Sequence, residues 1–258
     1  MAIGAATWFA GLMAELAMFP LGSVLFPHMP LLLRVFEPRY LVMLSRLLET
    51  GQAEFGVVLI ERGQEVGGGE HRFSVGTVAS VTEVGTADGT LALVAQGGSR
   101  IEVLDWLPED PHPVAEVRVL PDLVWSEDDR DALVTAERVV RRSLARASEF
   151  VESTWSADVV LSDDPARASW QLAGIAPLGE LDQVALLRST SFAALLASLV
   201  ELTEAAAEIV APDWLDPVTD AGDIGDDDDD DDDAFGEPDD DDDDDDDRGG
   251  GGRYGLGG

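Results

Sequence analysis

The apolar positions of this chain follow two different periods, and the change falls between residues 120 and 126. Ahead of it, short apolar runs are bounded by proline, glycine and aspartate, as expected of strands joined by tight turns. Residues 16–21 and 30–36 are the first two runs, punctuated by Pro20, Gly22, Pro27 and Pro30. A helix is predicted next. Pro38 suits a first helical position, Leu41, Leu44, Leu47 and Leu48 recur at helical spacing, and Gly51 supplies the stop. Residues 55–60 read as a buried strand and residues 63–69 as a glycine-rich loop. Residues 73–84 alternate, with Phe73, Val75, Thr77, Ala79, Val81 and Glu83 on one face. Asp88-Gly89 is a hairpin turn, because both types tolerate positive φ. Strands over 91–95 and 101–106 are predicted to be joined across Gly97-Gly98, and a strand over 114–120 closes the series. So many short strands in succession suggest a small barrel or a strongly curved sheet.

Beyond the change the period is helical. Ser126 with Asp129 three residues on has the form of a capping box. Leu133, Ala136, Val140, Leu144, Ala147 and Val151 make one stripe, with acids ahead of it and Arg138, Arg141, Arg142 and Arg146 later, the order a helix dipole favours. Asp164-Pro165 reads as a cap and first helical residue, and Gly174 as the end of that helix. A short helix over 179–188 follows. The last carries Phe192, Leu195, Leu196, Leu199, Leu202, Ala206 and Ile209 on one side, and Glu201 and Glu204 make it a packing helix rather than a membrane span. The fold class is α+β: a β subdomain with one helix over 14–122, then a bundle of three or four helices over 123–211, with no internal repeat.

Charge divides the chain again. The formal net charge is −36 over 258 residues. Residues 1–211 hold 30 acids against 14 arginines, a net of −16, and residues 212–258 hold 22 acids against 2 arginines, a net of −20. The second segment, with aspartate runs over 226–233 and 239–247, is predicted to be a disordered acidic tail, since nothing apolar offsets the entropy of ordering it. A weak divalent-cation sink and a site for basic partners are its other readings. The acidic first segment argues against nucleic acid as a partner, because that affinity comes largely from cations on phosphates.

There is no cysteine and no lysine. Disulfides, zinc thiolates, cysteine nucleophiles, a P-loop lysine and a Ser-Lys dyad are therefore excluded. Gly67-Gly68-Gly69 lacks the lysine and helix of a phosphate cradle and reads as a strand connection. His28, His71 and His112 stand apart, and no cofactor or metal is expected. Residues 1–13 are apolar without a basic lead, so they read as a floppy extension or a misplaced start rather than an export signal, and the expected compartment is the cytoplasm.

Four segments in order carry a family resemblance. MFPLGSVLFPHMPLLLRVFEPRYLVML (18–44), FGVVLIERGQEVG (55–67), VGTVASV with DGT and SRIEVLDW (75–106), and ASWQLAGIAPLGELDQVALLRSTSFAALLASL (168–199) resemble the amino-terminal substrate-binding domain of Lon-type proteases. The resemblance covers about residues 14–211. It implies a PUA-like β barrel on a helical bundle, no catalysis of its own, and recognition of extended or unfolded polypeptide, with a protease or chaperone as a further partner. The residues that would carry binding are Phe26, Pro27, Phe36, Glu37, Arg39 and Tyr40. Four of them also have a structural reading: Phe26 and Pro27 as barrel packing and loop, Glu37 as a helix cap, and Arg39 as the partner of an internal acid. An RNA-binding or small-molecule role of the barrel, or a scaffold whose tail takes basic partners, are the alternatives.

Overall fold

The computed structural model describes residues 10–51, 53–61, 71–87, 89–148 and 155–210. All of these lie in one compact unit ending at Asp213. Six strands come first: β1 (Met13–Leu21), β2 (Pro30–Val35), β3 (Glu54–Glu61), β4 (His71–Ala87), β5 (Thr90–Leu107) and β6 (Val114–Val119). Helix α1 (Pro38–Thr50) lies between β2 and β3. Then follow α2 (Arg130–Ala147), α3 (Pro165–Ile175), α4 (Glu180–Leu187) and α5 (Phe192–Val210).

The strand order is β2-β5-β4-β3-β1-β6, and β6 pairs back onto β5. That last pairing closes five strands into a barrel and leaves β2 as an added strand outside the ring. Only β1 and β3 run parallel. β5 makes closure possible by its length of 18 residues. Its first half pairs with β2 over 91–96 and its second half with β6 over 101–107. The barrel interior takes one or more side chains from each ring strand, among them Met18, Val58, Val78, Ile101 and Val117. Outside the ring, a larger core joins β2, α1 and the helical half.

Gly97 lies inside β5, not at the turn expected there. A Cβ at this position would sit 2.1 Å from the Phe26 carbonyl oxygen. The loop between β1 and β2 crosses at that point: His28 donates its N–H to Gly97 (2.8 Å), and Gly97 donates to Met29 (2.9 Å). Glycine here serves close backbone approach rather than a turn. Thr77 fastens the same loop by donating its hydroxyl to the Leu25 carbonyl (2.6 Å). Gly174 likewise does not end its helix, which runs to Ile175; a Cβ there would meet the Met29 side chain at 2.6 Å.

Helix ends follow the sequence more closely. Gly51 caps α1 at φ +70°. Ser126 and Asp129 form the capping box, though it opens a 3-10 turn (Glu127–Asp129) that runs on into α2. A hydrogen bond from Arg130 holds the exposed Glu127 carboxyl below the usual carboxylate range. Asp164 accepts the Arg167 N–H (2.7 Å) at the start of α3. The floppy extension expected over 1–13 is shorter at its inner end. β1 begins at Met13, Gly11 donates to Val119, and Val119 donates to Leu12, both at 2.9 Å. The predicted loop over 63–69, Val151 and the acidic tail lie outside the described residues, as do residues 1–9.

The two halves meet on Arg100, which β5 carries in the buried state. Its guanidinium donates to the carbonyls of Leu187 (3.0 Å) and Ser189 (2.6 Å) at the end of α4, and to Pro121 (2.6 Å) in the connection to the helices. It also sits 5.1 Å from the Trp170 ring centre. Burial lowers its pKa and Asp122 opposes that. From Trp170 a chain of rings spreads outward, to Phe26 (6.2 Å) and to Phe192 (6.1 Å), which meets Trp125 (5.6 Å).

Replacing Arg100 by Met would keep the apolar stem and strand three carbonyls. Each buried acceptor left unbonded costs about 1 to 3 kcal/mol. Arg100→Met is expected to lower the unfolding free energy by about 3 kcal/mol or more, read from the urea midpoint.

His28 holds φ +64° in the fastened loop. Burial, then the nearby Arg167, lowers its pKa, with Asp164 and Asp122 opposing. A base whose pKa is lower folded than unfolded binds fewer protons in the native state. Its contribution is therefore intact above the unfolded value of about 6.5 and is lost as pH falls below it. Asn tolerates the same backbone and does not titrate. Between pH of about 7.5 and 5, the wild type should lose more stability than His28→Asn, measured by denaturation at each pH.

Candidate functional site

The six residues singled out from the sequence do not form one surface. Phe26 is buried against Trp170, and Pro27 is buried beside it. Tyr40 is buried with its ring stacked on Phe19 at 3.9 Å and 9°. These three are thus packed inside the fold. Phe36, by contrast, is 73 % exposed, just ahead of α1.

Glu37 and Arg39 occupy the turn into α1, and the expected side-chain cap is absent there. Glu37 caps with its main chain only, its carbonyl accepting from Tyr40 (3.0 Å) and Leu41 (3.1 Å). Its carboxylate instead takes the Arg39 Nε–H at 2.9 Å. Arg39 reaches toward Glu109 (3.9 Å), which pairs with Arg72 (2.7 Å), while Arg46 donates to the Asp110 carbonyl (3.2 Å). The charged groups at the start of α1 thus fasten the helix to the loop between β5 and β6. Pairs this exposed contribute about 1 kcal/mol or less each.

An apolar groove opens elsewhere, between β2 and the helical half. Its volume is about 610 Å3. Leu25, Phe26 and Met29 of the fastened loop line one side, Leu31 and Leu32 of β2 the rim, and Ile175 with Trp155 the helical side. Among the described residues no ionisable side chain lines it, and Ser23 and Gln183 are polar side chains in its lining. The helical wall is held by Arg141 of α2, which donates to the carbonyls of Ala157 and Val159 (3.1 Å to the latter) and is oriented by Glu137 (2.8 Å). A second hollow of about 450 Å3 lies across β2, β5 and β4, lined by Leu32, Arg34, Glu83 and Val94 among others. Leu32 borders both and is 73 % exposed.

Of the predicted residues, only Phe26 reaches this groove. Leu32, Trp155 and Ile175 were not singled out from the sequence. A signal was present at Leu31-Leu32-Leu33: three consecutive leucines cannot all point into the core of a strand whose side chains alternate. One must face outward, and it is Leu32. Among the described residues there is no cluster of His, Asp and Glu suited to a metal ion, and no helix is long and apolar enough to cross a membrane.

Comparison with known proteins agrees with this architecture. The family described as the ATP-dependent protease La (LON) substrate-binding domain matches residues 15–205. Lon protease 1 of Herpetosiphon aurantiacus is 25 % identical over 195 residues, covering 73 % of this chain and 24 % of that protein. Lon protease 2 of the same organism is 27 % identical over 173 residues, covering 65 % and 20 %. The chain therefore spans a fifth to a quarter of the length of these relatives. Among solved structures, a Lon N-terminal domain protein from Xanthomonas campestris is similar with a TM-score of 0.52 and 26 % identity, over 73 % of this chain and 98 % of that one. The N-terminal domain of the Mycobacterium avium complex Lon protease is similar in fold, with a TM-score of 0.53 at 17 % identity, over 74 % and 98 %. With a barrel closed through β5, a helical half locked to it by Arg100, and a family match over most of the folded chain, this protein belongs to the Lon substrate-binding domain family.

Proposed function

We propose that the chain is a non-catalytic recognition module that holds extended or unfolded polypeptide segments in the groove beside β2 and presents them to a protease or chaperone. The observation that carries this is the groove itself, mostly apolar, without an ionisable side chain among the described residues that line it, and opening beside an exposed leucine. Exposed apolar surface of this kind marks a site of interaction rather than a default surface. Family membership supports a polypeptide as the ligand. A small apolar ligand is a second reading, because the volume of about 610 Å3 falls within the range of small-molecule pockets.

Peptide-array binding by the full chain tests the reading. Arrayed segments rich in apolar residues should be retained, and free peptide should compete them off. Binding of small apolar dyes with no retention of any peptide would reject it in favour of the second reading.

Two substitutions locate the site. Leu32 is exposed, so Leu32→Asp should shift the unfolding free energy by no more than about 0.5 kcal/mol while weakening peptide binding at least about tenfold. Arg39→Ala removes partly exposed ion pairs with Glu37 and Glu109 and a cation–π contact with Tyr40 at the α1 turn. It should cost about 1 kcal/mol or less and leave peptide affinity at the groove within about twofold, by thermal melting and fluorescence titration.

A further inference from the structure

The strand order ends at β2, and the phase of its pairing decides which of its main-chain groups face outward. Gly97 gives its N–H to the Met29 carbonyl at 2.9 Å. Those two residues continue the register that sets Pro30 opposite Gln96 and Leu31 opposite Ala95. Antiparallel neighbours alternate between bonded and non-bonded positions. Stepping by two from Met29, the main-chain groups of Leu31, Leu33 and Val35 serve β5. Pro30 and Leu32 fall in the other phase, with their main-chain groups turned away from the sheet. Proline belongs there, since it has no N–H to offer a ladder. Leu32 therefore presents both its N–H and its carbonyl to the outer side of β2, with the Pro30 carbonyl two residues before it. No other described strand pairs with that side.

The same residue borders the groove and the second hollow. A strand added to this edge would set its successive side chains on alternate faces of the sheet. Main-chain pairing is indifferent to sequence, so selection must come from pockets and charge. The groove favours apolar side chains, its described lining being mostly apolar and without an ionisable group. Acidic groups outnumber basic ones around it, although Arg34 and Glu83 both line the adjoining hollow. Glu180 and Asp182 stand in the first turn of α4 beside the lining residue Gln183, and residues 1–211 carry a net charge of −16. Fields of that sign act over a Debye length of about 8 Å at physiological salt.

We propose that β2 takes up one extended polypeptide segment as an additional strand, bonded through the N–H and carbonyl of Leu32, and that the preferred segment is apolar in its middle and cationic at its flanks. The inference rests on the recognition reading above and names the substrate class of that same site.

The test uses the full chain and short peptides of alternating Leu and Ser, closed at both ends by paired Lys or by paired Glu. The Lys-flanked peptide should bind at least about tenfold more tightly at low salt, and the gap should narrow at high salt. Single backbone N-methyl groups are then walked along it. The ligand residue opposite Leu32 uses its N–H and its two neighbours do not, so losses of about tenfold should alternate with near-neutral positions. Leu32→Pro removes the outward N–H without touching the ladder to β5, and should abolish binding with an unchanged circular dichroism spectrum. If that variant misfolds, the N-methyl series on the wild type decides alone. Peptide binding that ignores N-methylation would overturn strand addition and leave the recognition reading standing. Equal binding of Glu-flanked and Lys-flanked peptides would overturn the cationic preference. Failure of both peptides to bind, when arrayed apolar segments do, would overturn the class proposed; failure of arrayed segments as well would sink the recognition reading itself.

Discussion

The buried guanidinium of Arg100 is the constraint on which the two halves of the fold depend. It takes up carbonyls that would otherwise be stranded at the end of α4 and in the strand-to-helix connection. Burying a charge is costly unless its hydrogen-bonding capacity is filled. Here three main-chain oxygens accept from it, and the Trp170 face adds a cation–π contact. Because Arg100 lies midway along β5, the same strand that closes the barrel also positions the helical half. Arginine suits the post better than lysine would, since its planar fork reaches several carbonyls at once.

Closing the ring has a second consequence. β5 has two sides, and over its first half the side not used by β4 goes to β2. Among the described strands, β2 is then held by β5 alone. The loop that leads into it is pinned where Gly97 permits backbone contact, which carries Phe26 inward and brings Met29 against Gly174. The groove is the space that remains between this pinned loop and the helical half. Its walls are set by core packing and its rim by an edge strand, so stability and ligand access are separable at Leu32 but not at Phe26.

Charge and apolar character are distributed to different ends. Acidic groups are spread over the folded part and concentrated in the last 47 residues of the sequence, residues 212–258, while the described residues that line the groove include none. The net negative charge of the folded part is a balance, since Arg118, Arg130 and Arg142 are also exposed. The arginines that do occur are largely committed within the fold: Arg100 and Arg141 to carbonyls, Arg39 and Arg72 to Glu109.

The sequence by itself determined the α+β class, the order of elements and most of their ends. Those features are local: Pro38 and Gly51 bound α1, the Ser126 capping box opens the helical half, and Asp164-Pro165 starts α3, each through bonds made within a few residues. The motifs from 18 to 199 also made the family legible. What the sequence did not determine is what each glycine and aromatic was for. Gly97 and Gly174 look like breaks because a turn and a close approach both require a missing Cβ, and only the packing of residues 26–29 tells them apart. Phe26, Tyr40 and Phe36 look equivalent in a motif, yet two are core and one is exposed. The groove, the free edge of β2 and the burial of Arg100 all arise from contacts between residues 50 or more positions apart, and only the tertiary structure decides which of those distant segments meet.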